Sequence, residues 1–206
     1  MAMSLSQRVF AAWYDALNSG VEGRVKPFRE RTAGRAWGDV LEVGGGTGAN
    51  LRYYPAGVRL TVAEPNPHMV KRLRRRAGEQ GREVAVVPDV GEALPFPDAS
   101  FDTVVTTLVL CMVSDLDGVV REVRRVVRPG GAFLFYEHVL ARTRRMRALQ
   151  DALNPVWRFM TTGCNLNRDI AGTIRGAGFR KVEVEDFQFS VGPVVTLPNI
   201  VGVAWA

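Results

Sequence analysis

Short apolar or β-branched runs alternate along the chain with longer stretches in which apolar residues recur every three or four positions. Continuous or two-residue apolar patterns mark strands, a period near 3.6 marks helices, and regular alternation of the two is the signature of βαβ units around a parallel sheet. Seven strands are expected, over Asp39–Val43, Val58–Ala63, Glu83–Val87, Phe101–Thr107, Ala132–Glu137, Lys181–Phe189 and Ile200–Ala206. The runs VLEV, VVTTLVL and AFLFY are almost wholly apolar or β-branched, as central strands covered by helices on both faces should be. By contrast VEVEDFQF alternates apolar with polar residues, which places it nearer a sheet edge. Helices fit Thr47–Tyr54, Pro67–Ala77, Leu116–Val127, Met146–Phe159 and Arg168–Ala177, with Asn165 or Asn167 suited to cap the last. The expected class is α/β, a single domain over residues 1–206 with 1–36 as a helical cap over the sheet.

Composition narrows the setting. Apolar residues make up 47% and charged residues 23%, ordinary values for a soluble globular chain with one core. The opening MAMSLSQRVFAAWYDALNSG is interrupted by Arg8 and Asp15, so it has neither the apolar run of a signal peptide nor the length of a membrane span. The only cysteines, Cys111 and Cys164, lie far apart in different contexts. That argues for a reducing compartment, by default the cytoplasm, and against a disulfide framework or a zinc site, so no metal is expected. The net charge is +6, with basic clusters at Lys71–Arg76, Arg121–Arg128 and Arg142–Arg147. The first two fall on helical segments whose apolar face is Leu73 or Val123, Val126 and Val127, where solvated arginine is the usual occupant of the opposite face. No nucleic-acid partner is therefore expected. The third cluster has no such stripe and suits contact with an anionic substrate or membrane surface.

The stretch Asp39-Val-Leu-Glu-Val-Gly-Gly-Gly-Thr-Gly48 runs from an apolar strand into four glycines. Glycine serves where a backbone turns tightly and where a ligand lies against the main chain, and a following helix N-terminus would offer its amides to the ligand. Alone the loop is ambiguous, because Gly44-x-Gly46-x-x-Ala49 also satisfies the dinucleotide pattern. Glu42, two positions before Gly44, would repel a pyrophosphate and welcome an ammonium group. Glu64 ends the next strand twenty residues after Gly44, the spacing at which a carboxylate accepts both ribose hydroxyls. Asn66 and Pro67 form a ready N-cap and first helical position beside it.

The blocks E-x-G-G-G-T-G, E-P-N, G-E-A-L-P-F, S-F-D and R-P-G-G occur in register through Arg128-Pro-Gly-Gly131, and in this order they resemble the class I S-adenosylmethionine-dependent methyltransferases. The resemblance implies a Rossmann-like seven-stranded sheet of order 3-2-1-4-5-7-6 with the last strand antiparallel, and S-adenosylmethionine lying across the carboxyl ends of strands 1 and 2. The implied donor-binding residues are Glu42, Gly44, Gly45, Gly46, Thr47, Gly48, Glu64, Pro65, Asn66, Met69, Gly91, Glu92 and Thr107. Where the family carries Asp before a small residue in the adenine loop, this chain has Val90 followed by Gly91 and Glu92; Asp89 or the backbone at Gly91 is the remaining reader of the adenine edge. A finer resemblance, carried by Thr107-Leu-Val-Leu-Cys-Met-Val113, Glu137-His-Val139, Asn154-Pro-Val-Trp157 and Gly163-Cys-Asn-Leu-Asn-Arg168, is to the membrane-associated animal alkyl thiol methyltransferases. It implies S-methylation of small apolar thiols.

The carboxyl ends of the fourth and fifth strands bring forward Thr106, Thr107, Cys111, Tyr136, Glu137 and His138. Methyl transfer from a sulfonium needs alignment more than a strong base, and His138 is the candidate base or positioning group. Cys111 suits a buried strand-to-helix junction as well as a pocket wall. Trp13, Tyr14 and Trp157 are aromatic candidates to wall the acceptor pocket. The readings left open beside a small-molecule thiol acceptor are a phospholipid or amine N-methyltransferase, an NAD-dependent oxidoreductase and a nucleic-acid-binding module.

Overall fold

Among the residues that the computed structural model describes, which are residue 20 and residues 22–161, 163–191 and 195–206, seven strands form one sheet. They are β1 (Asp39–Val43), β2 (Arg59–Ala63), β3 (Ala85–Val87), β4 (Phe101–Thr107), β5 (Val127–His138), β6 (Lys181–Val191) and β7 (Val195–Trp205), in the order β3-β2-β1-β4-β5-β7-β6. The first five run parallel, and β7 is antiparallel to both of its neighbours. This is the order and the antiparallel closing strand that the resemblance implies. The central position of β1 explains its apolar Val40, Leu41 and Val43, and the alternating β6 is indeed an edge strand.

Helices cover both faces. One face carries α3 (Leu116–Val126) and α5 (Ile170–Gly176), whose Val119, Val123, Ile170 and Ile174 bury against Val104, Phe133 and Phe135. The other carries α1, helical over 22–31, and α2 (Pro67–Glu79); Leu73 and Ala77 of α2 pack on Val62 and Leu134, and Val25 of α1 packs on Tyr136 and Val201. Alternation of side chains along β5 sends Phe133 and Phe135 to the first face and Leu134 and Tyr136 to the second. The remaining helix, α4 (Arg144–Met160), lies at the periphery and buries only Gln150. Local chemistry explains the helix starts: Asn66, Asp115, Thr143 and Asp169 each accept an amide in the first turn, and Pro67 fills the first position of α2.

Three expectations are corrected. Thr47–Tyr54 is a run of turns rather than a helix. Gly46 and Gly48 take φ of 55° and 83°, left-handed values that interrupt a right-handed helix, and the bonds that form span three residues (Gly48 N to Gly45 O, Leu51 N to Gly48 O). The cap of α5 is Asp169, which accepts Gly172 N at 2.9 Å, while Asn165 bonds to Cys111 O and Asn167 to Asp151. Strands β6 and β7 are longer than expected: β7 extends past Asn199, its last β5 register partner, through Pro198, which pairs with Gln188 of β6 and whose carbonyl accepts Val139 N at 2.9 Å.

Several motif residues hold the sheet together at the end opposite the glycine loop. Asp102 accepts Asp39 N at 2.8 Å, and Arg128 bridges Asp39 at 3.0 Å and Asp102 at 2.8 Å. Arg125 reaches Phe96 O, Leu94 O, Asp98 and Glu122, latching the loop between β3 and β4 onto α3. Much of the second basic cluster is thus spent on internal contacts.

Candidate functional site

The loops that carry the candidate chemistry leave the sheet at one end. Gly44 N donates to Ala63 O at 2.8 Å, Glu64 N to Val87 O at 3.0 Å and Leu108 N to Tyr136 O at 2.8 Å, so the exits of β1, β2 and β4 stand in line. The direction of strand order reverses between β1 and β4, and such a switch point opens a crevice at the carboxyl ends.

Gly44 takes φ of 70°, and a Cβ there would stand 2.1 Å from Val109 Cγ2. The loop after β1 is therefore fitted against the loop after β4. Gly45 is similarly close to Val62, at 2.3 Å from an added Cβ, so protein packing gives an immediate reason for glycine besides the ligand approach argued from sequence. Thr47 is buried and its carbonyl and hydroxyl oxygens accept Arg76 at 3.1 and 2.8 Å.

Two carboxylates flank this loop. Glu64 accepts Gly46 N through Oε2 and Asn66 N through Oε1, both at 2.9 Å, and so braces the glycine loop against the N-cap of α2. Glu42 accepts Asn50 Nδ2 at 2.7 Å through Oε1, while its buried Oε2 makes no hydrogen bond; the buried Tyr54 hydroxyl, also unbonded, stands near enough to act on the carboxylate as a donor. Asn50 also donates to Thr107 Oγ1 at 3.0 Å and accepts from Arg29 at 2.5 Å. Burial pushes the carboxyl pKa of both Glu42 and Glu64 above the usual range. A buried carboxylate oxygen left unmatched costs free energy unless a donor or cation meets it; the Tyr54 hydroxyl is a donor within the fold, and an ammonium group would meet the charge itself.

The other donor-side candidates take distinct places. Pro65 is exposed at the corner after β2, and Met69 is buried under α2. Gly91 is buried where a Cβ would stand 2.9 Å from Val43 Cγ1, so the loop after β3 closes onto the end of β1. The carboxylate of Glu92 is tied to Ser114 N at 2.8 Å, in the loop before α3. Val90 is exposed and Asp89 half-buried.

On the acceptor side, Glu137 is fully buried and accepts Val109 N at 3.3 Å and Leu110 N at 3.2 Å. Leu108, at φ of 55°, turns the chain so that these amides face it. Burial raises the Glu137 carboxyl to about 8, and the side chain is engaged in holding this loop. Tyr136 points to the α1 face, with its ring stacked 4.9 Å from that of Phe28 and its hydroxyl unpartnered. His138 Nε2 lies 2.9 Å from Cys164 Sγ, and Cys111 is buried beside them. The buried indole N–H of Trp157 makes no hydrogen bond. Trp13 and Tyr14 fall outside the described residues.

The separation of Cys111 and Cys164 in sequence argued against a shared site, and the fold corrects it: the two sulfurs and His138 meet. Sequence reasoning also missed Asn50, which ties Glu42 to Thr107, and Gln150, whose amide accepts Ala141 N at 2.7 Å and donates to Val139 O and Leu166 O at 3.1 and 2.9 Å. Nothing in the pattern marks either, since a polar residue among turns or on an amphipathic helix reads as solvated.

Residues 41–135 match the Methyltransferase domain family. The thiol S-methyltransferase TMT1A of Homo sapiens is 40% identical over 169 residues, covering 80% of this chain and 69% of that protein. Human thiol S-methyltransferase TMT1B is 39% identical over 150 residues, 71% of this chain and 62% of that protein. This chain belongs to the S-adenosylmethionine-dependent methyltransferase family that includes them. Among solved structures, the YcgJ protein of Bacillus subtilis matches the methyltransferase with a TM-score of 0.70 at 18% identity, over 89% of this chain and 97% of that one, a likeness of fold.

The residues present fit S-adenosylmethionine. The unmatched Oε2 of Glu42 suits the amino group of the donor's methionine part, and Glu64 has lone pairs left for ribose hydroxyls. Among the described residues of the methyltransferase, no helix is long and apolar enough to cross a membrane.

Proposed function

We propose that the acceptor of this methyltransferase is the sulfur of a small, partly apolar thiol. The observation that carries the reading is the 40% identity to a thiol S-methyltransferase over 80% of the chain, which extends beyond the domain match at residues 41–135. S-adenosylmethionine supplies a methyl already activated by its positive sulfur, so the chain's work is to hold acceptor and donor in line. A thiol of ordinary pKa, about 8.5, needs only a modest shift to ionise near neutral pH. That suits a site whose one buried carboxylate on the acceptor side, Glu137, is engaged with loop amides. His138 serves as the positioning group, held by its contact with Cys164. The free thiols of Cys111 and Cys164 suit a reducing compartment such as the cytoplasm.

A phospholipid amine acceptor is the second reading, and one surface favours it. Helix α4 exposes Met146, Leu149, Leu153, Val156, Phe159 and Met160, with Arg144, Arg145 and Arg158 exposed on the same helix. An apolar row with basic neighbours suits peripheral contact with an anionic membrane.

The two readings separate in one assay. The full chain is incubated with methyl-labelled donor and a panel of alkyl thiols, amines, phenols and phosphatidylethanolamine vesicles, and the products are identified by mass. Label on sulfur supports the thiol reading; label confined to an amine or lipid headgroup overturns it.

A further inference from the structure

Three metal-ligating side chains from separate segments meet at the carboxyl ends of β4 and β5. Cys111 comes from the loop after β4, His138 closes β5 and Cys164 follows α4. All three are buried, and their ligand atoms lie within 4.8 Å of one another. In a tetrahedral zinc site, with bonds of about 2.3 Å to sulfur and 2.0–2.1 Å to nitrogen, ligand atoms stand roughly 3.5–3.8 Å apart. The cluster is within side-chain adjustment of that geometry.

The backbone around the cluster is clamped. Cys111 O accepts both Asn165 N at 2.9 Å and Asn165 Nδ2 at 3.0 Å, which bolts the first cysteine to the segment of the second. Arg168 adds a bond to Leu110 O at 2.9 Å. Gln150 joins the chain just after His138 to Leu166, just after Cys164. All three ligand-bearing segments are thus preorganised by hydrogen bonds that do not involve the sulfurs.

A cation bound by these ligands would displace a proton from each cysteine thiol.

We propose that Cys111, His138 and Cys164 bind one soft divalent cation, zinc by the chemistry of the ligands, and that its fourth position takes the acceptor thiolate. Among the described residues no further His, Cys, Asp or Glu joins the cluster, and a set of three protein ligands is the arrangement that leaves a zinc position open. A thiol entering that position gives its proton to solvent. Its sulfur electron pair then forms the bond to the methyl, while the donor's sulfur–methyl bond breaks and that pair stays on the donor's sulfur. The thioether product is neutral and a weaker ligand, so it departs. The coordination role rests on the thiol reading above; the metal site itself does not.

The test uses the full chain, reduced, stripped with chelator and titrated with Co²⁺ and Zn²⁺. One equivalent should bind, with cobalt giving thiolate charge-transfer absorption and the intense visible bands of tetrahedral coordination. Cys111→Ser, Cys164→Ser and His138→Asn should each weaken binding about ten-fold or more, and calorimetry with S-adenosylhomocysteine shows whether each variant is folded. Where a variant is not, the wild type decides: zinc should protect two thiols from alkylation, and undiminished alkylation overturns the site. Failure to take up metal after reduction, or a Cys111–Cys164 disulfide in its place, likewise overturns it while leaving any thiol product of the labelled assay standing. Addition of a small alkyl thiol should shift the cobalt bands. Bands that ignore a thiol that the enzyme methylates overturn the coordination role alone, and absence of any thiol product overturns the thiol reading instead.

Discussion

Replacing Glu64 with alanine removes a side chain that braces the glycine loop and that its spacing from that loop assigns to the donor's ribose. Its two oxygens accept Gly46 N and Asn66 N at 2.9 Å each, and the residue is 6% exposed. A hydrogen bond to a charged acceptor contributes about 1.5–3 kcal/mol, and a buried amide left without one carries most of that as a penalty. The Gly46 contact is buried and the Asn66 contact only partly so; the second amide can recover water. The variant should therefore lose roughly 2–4 kcal/mol of folding stability. Loss of the acceptor for the ribose hydroxyls removes about 1.5–3 kcal/mol from donor binding, a roughly 10- to 150-fold rise in Kd. Denaturant unfolding reads the first effect, and calorimetric titration with S-adenosylhomocysteine, at a temperature where the variant is fully folded, reads the second. A Kd within two-fold of wild type refutes the ribose role. An unchanged unfolding midpoint refutes the bracing role.

Glu42→Gln should weaken S-adenosylhomocysteine about ten-fold by removing the charge opposite its ammonium group, yet leave methylthioadenosine, which lacks the amino acid, unaffected; equal weakening of both contradicts the assignment. Because burial raises Glu137 to about 8 from 4.5, the folded chain keeps a proton that the unfolded chain has released. Its stabilising contribution is full below about 4.5 and is lost as pH rises through about 8, a drop on the order of 3–5 kcal/mol at about 1.36 kcal/mol per unit. Unfolding midpoints of wild type should fall more steeply over that window than those of Glu137→Gln, and parallel curves refute it. Gln150→Leu strands three partners of a buried amide and should cost roughly 2–4 kcal/mol in denaturant unfolding; a loss below about 0.5 kcal/mol shows that α4 is held otherwise.

The sheet was legible because its central strands announce themselves: β1 and β4 lie in the middle of seven strands and carry runs of apolar and β-branched residues, so their bounds agree with the pattern to the residue. The turn run at 47–54 was not legible, because glycine periodicity does not reveal the sign of φ at Gly46 and Gly48. Motif spacing placed Glu42 and Glu64 on either side of the loop, where they stand. It did not reveal Asn50 between Glu42 and Thr107, since that network exists only once β1 and β4 are adjacent. Cys111 and Cys164 illustrate the limit most plainly. Sequence distance says nothing about two residues whose segments the sheet and Asn165 bring together. The blocks around Asp102 and Arg128, read as family signatures, turn out to clasp the far end of the sheet.

The most direct measurement sets two adenosine-containing ligands against each other on the unmodified full chain. With buried Glu42 offering an unmatched oxygen and Glu64 anchoring the loop, S-adenosylhomocysteine should saturate one site in calorimetry, while NAD⁺ should give no binding heat and fail to compete. Saturable binding of NAD⁺ with none of S-adenosylhomocysteine contradicts the assignment of this crevice as the methyl-donor site.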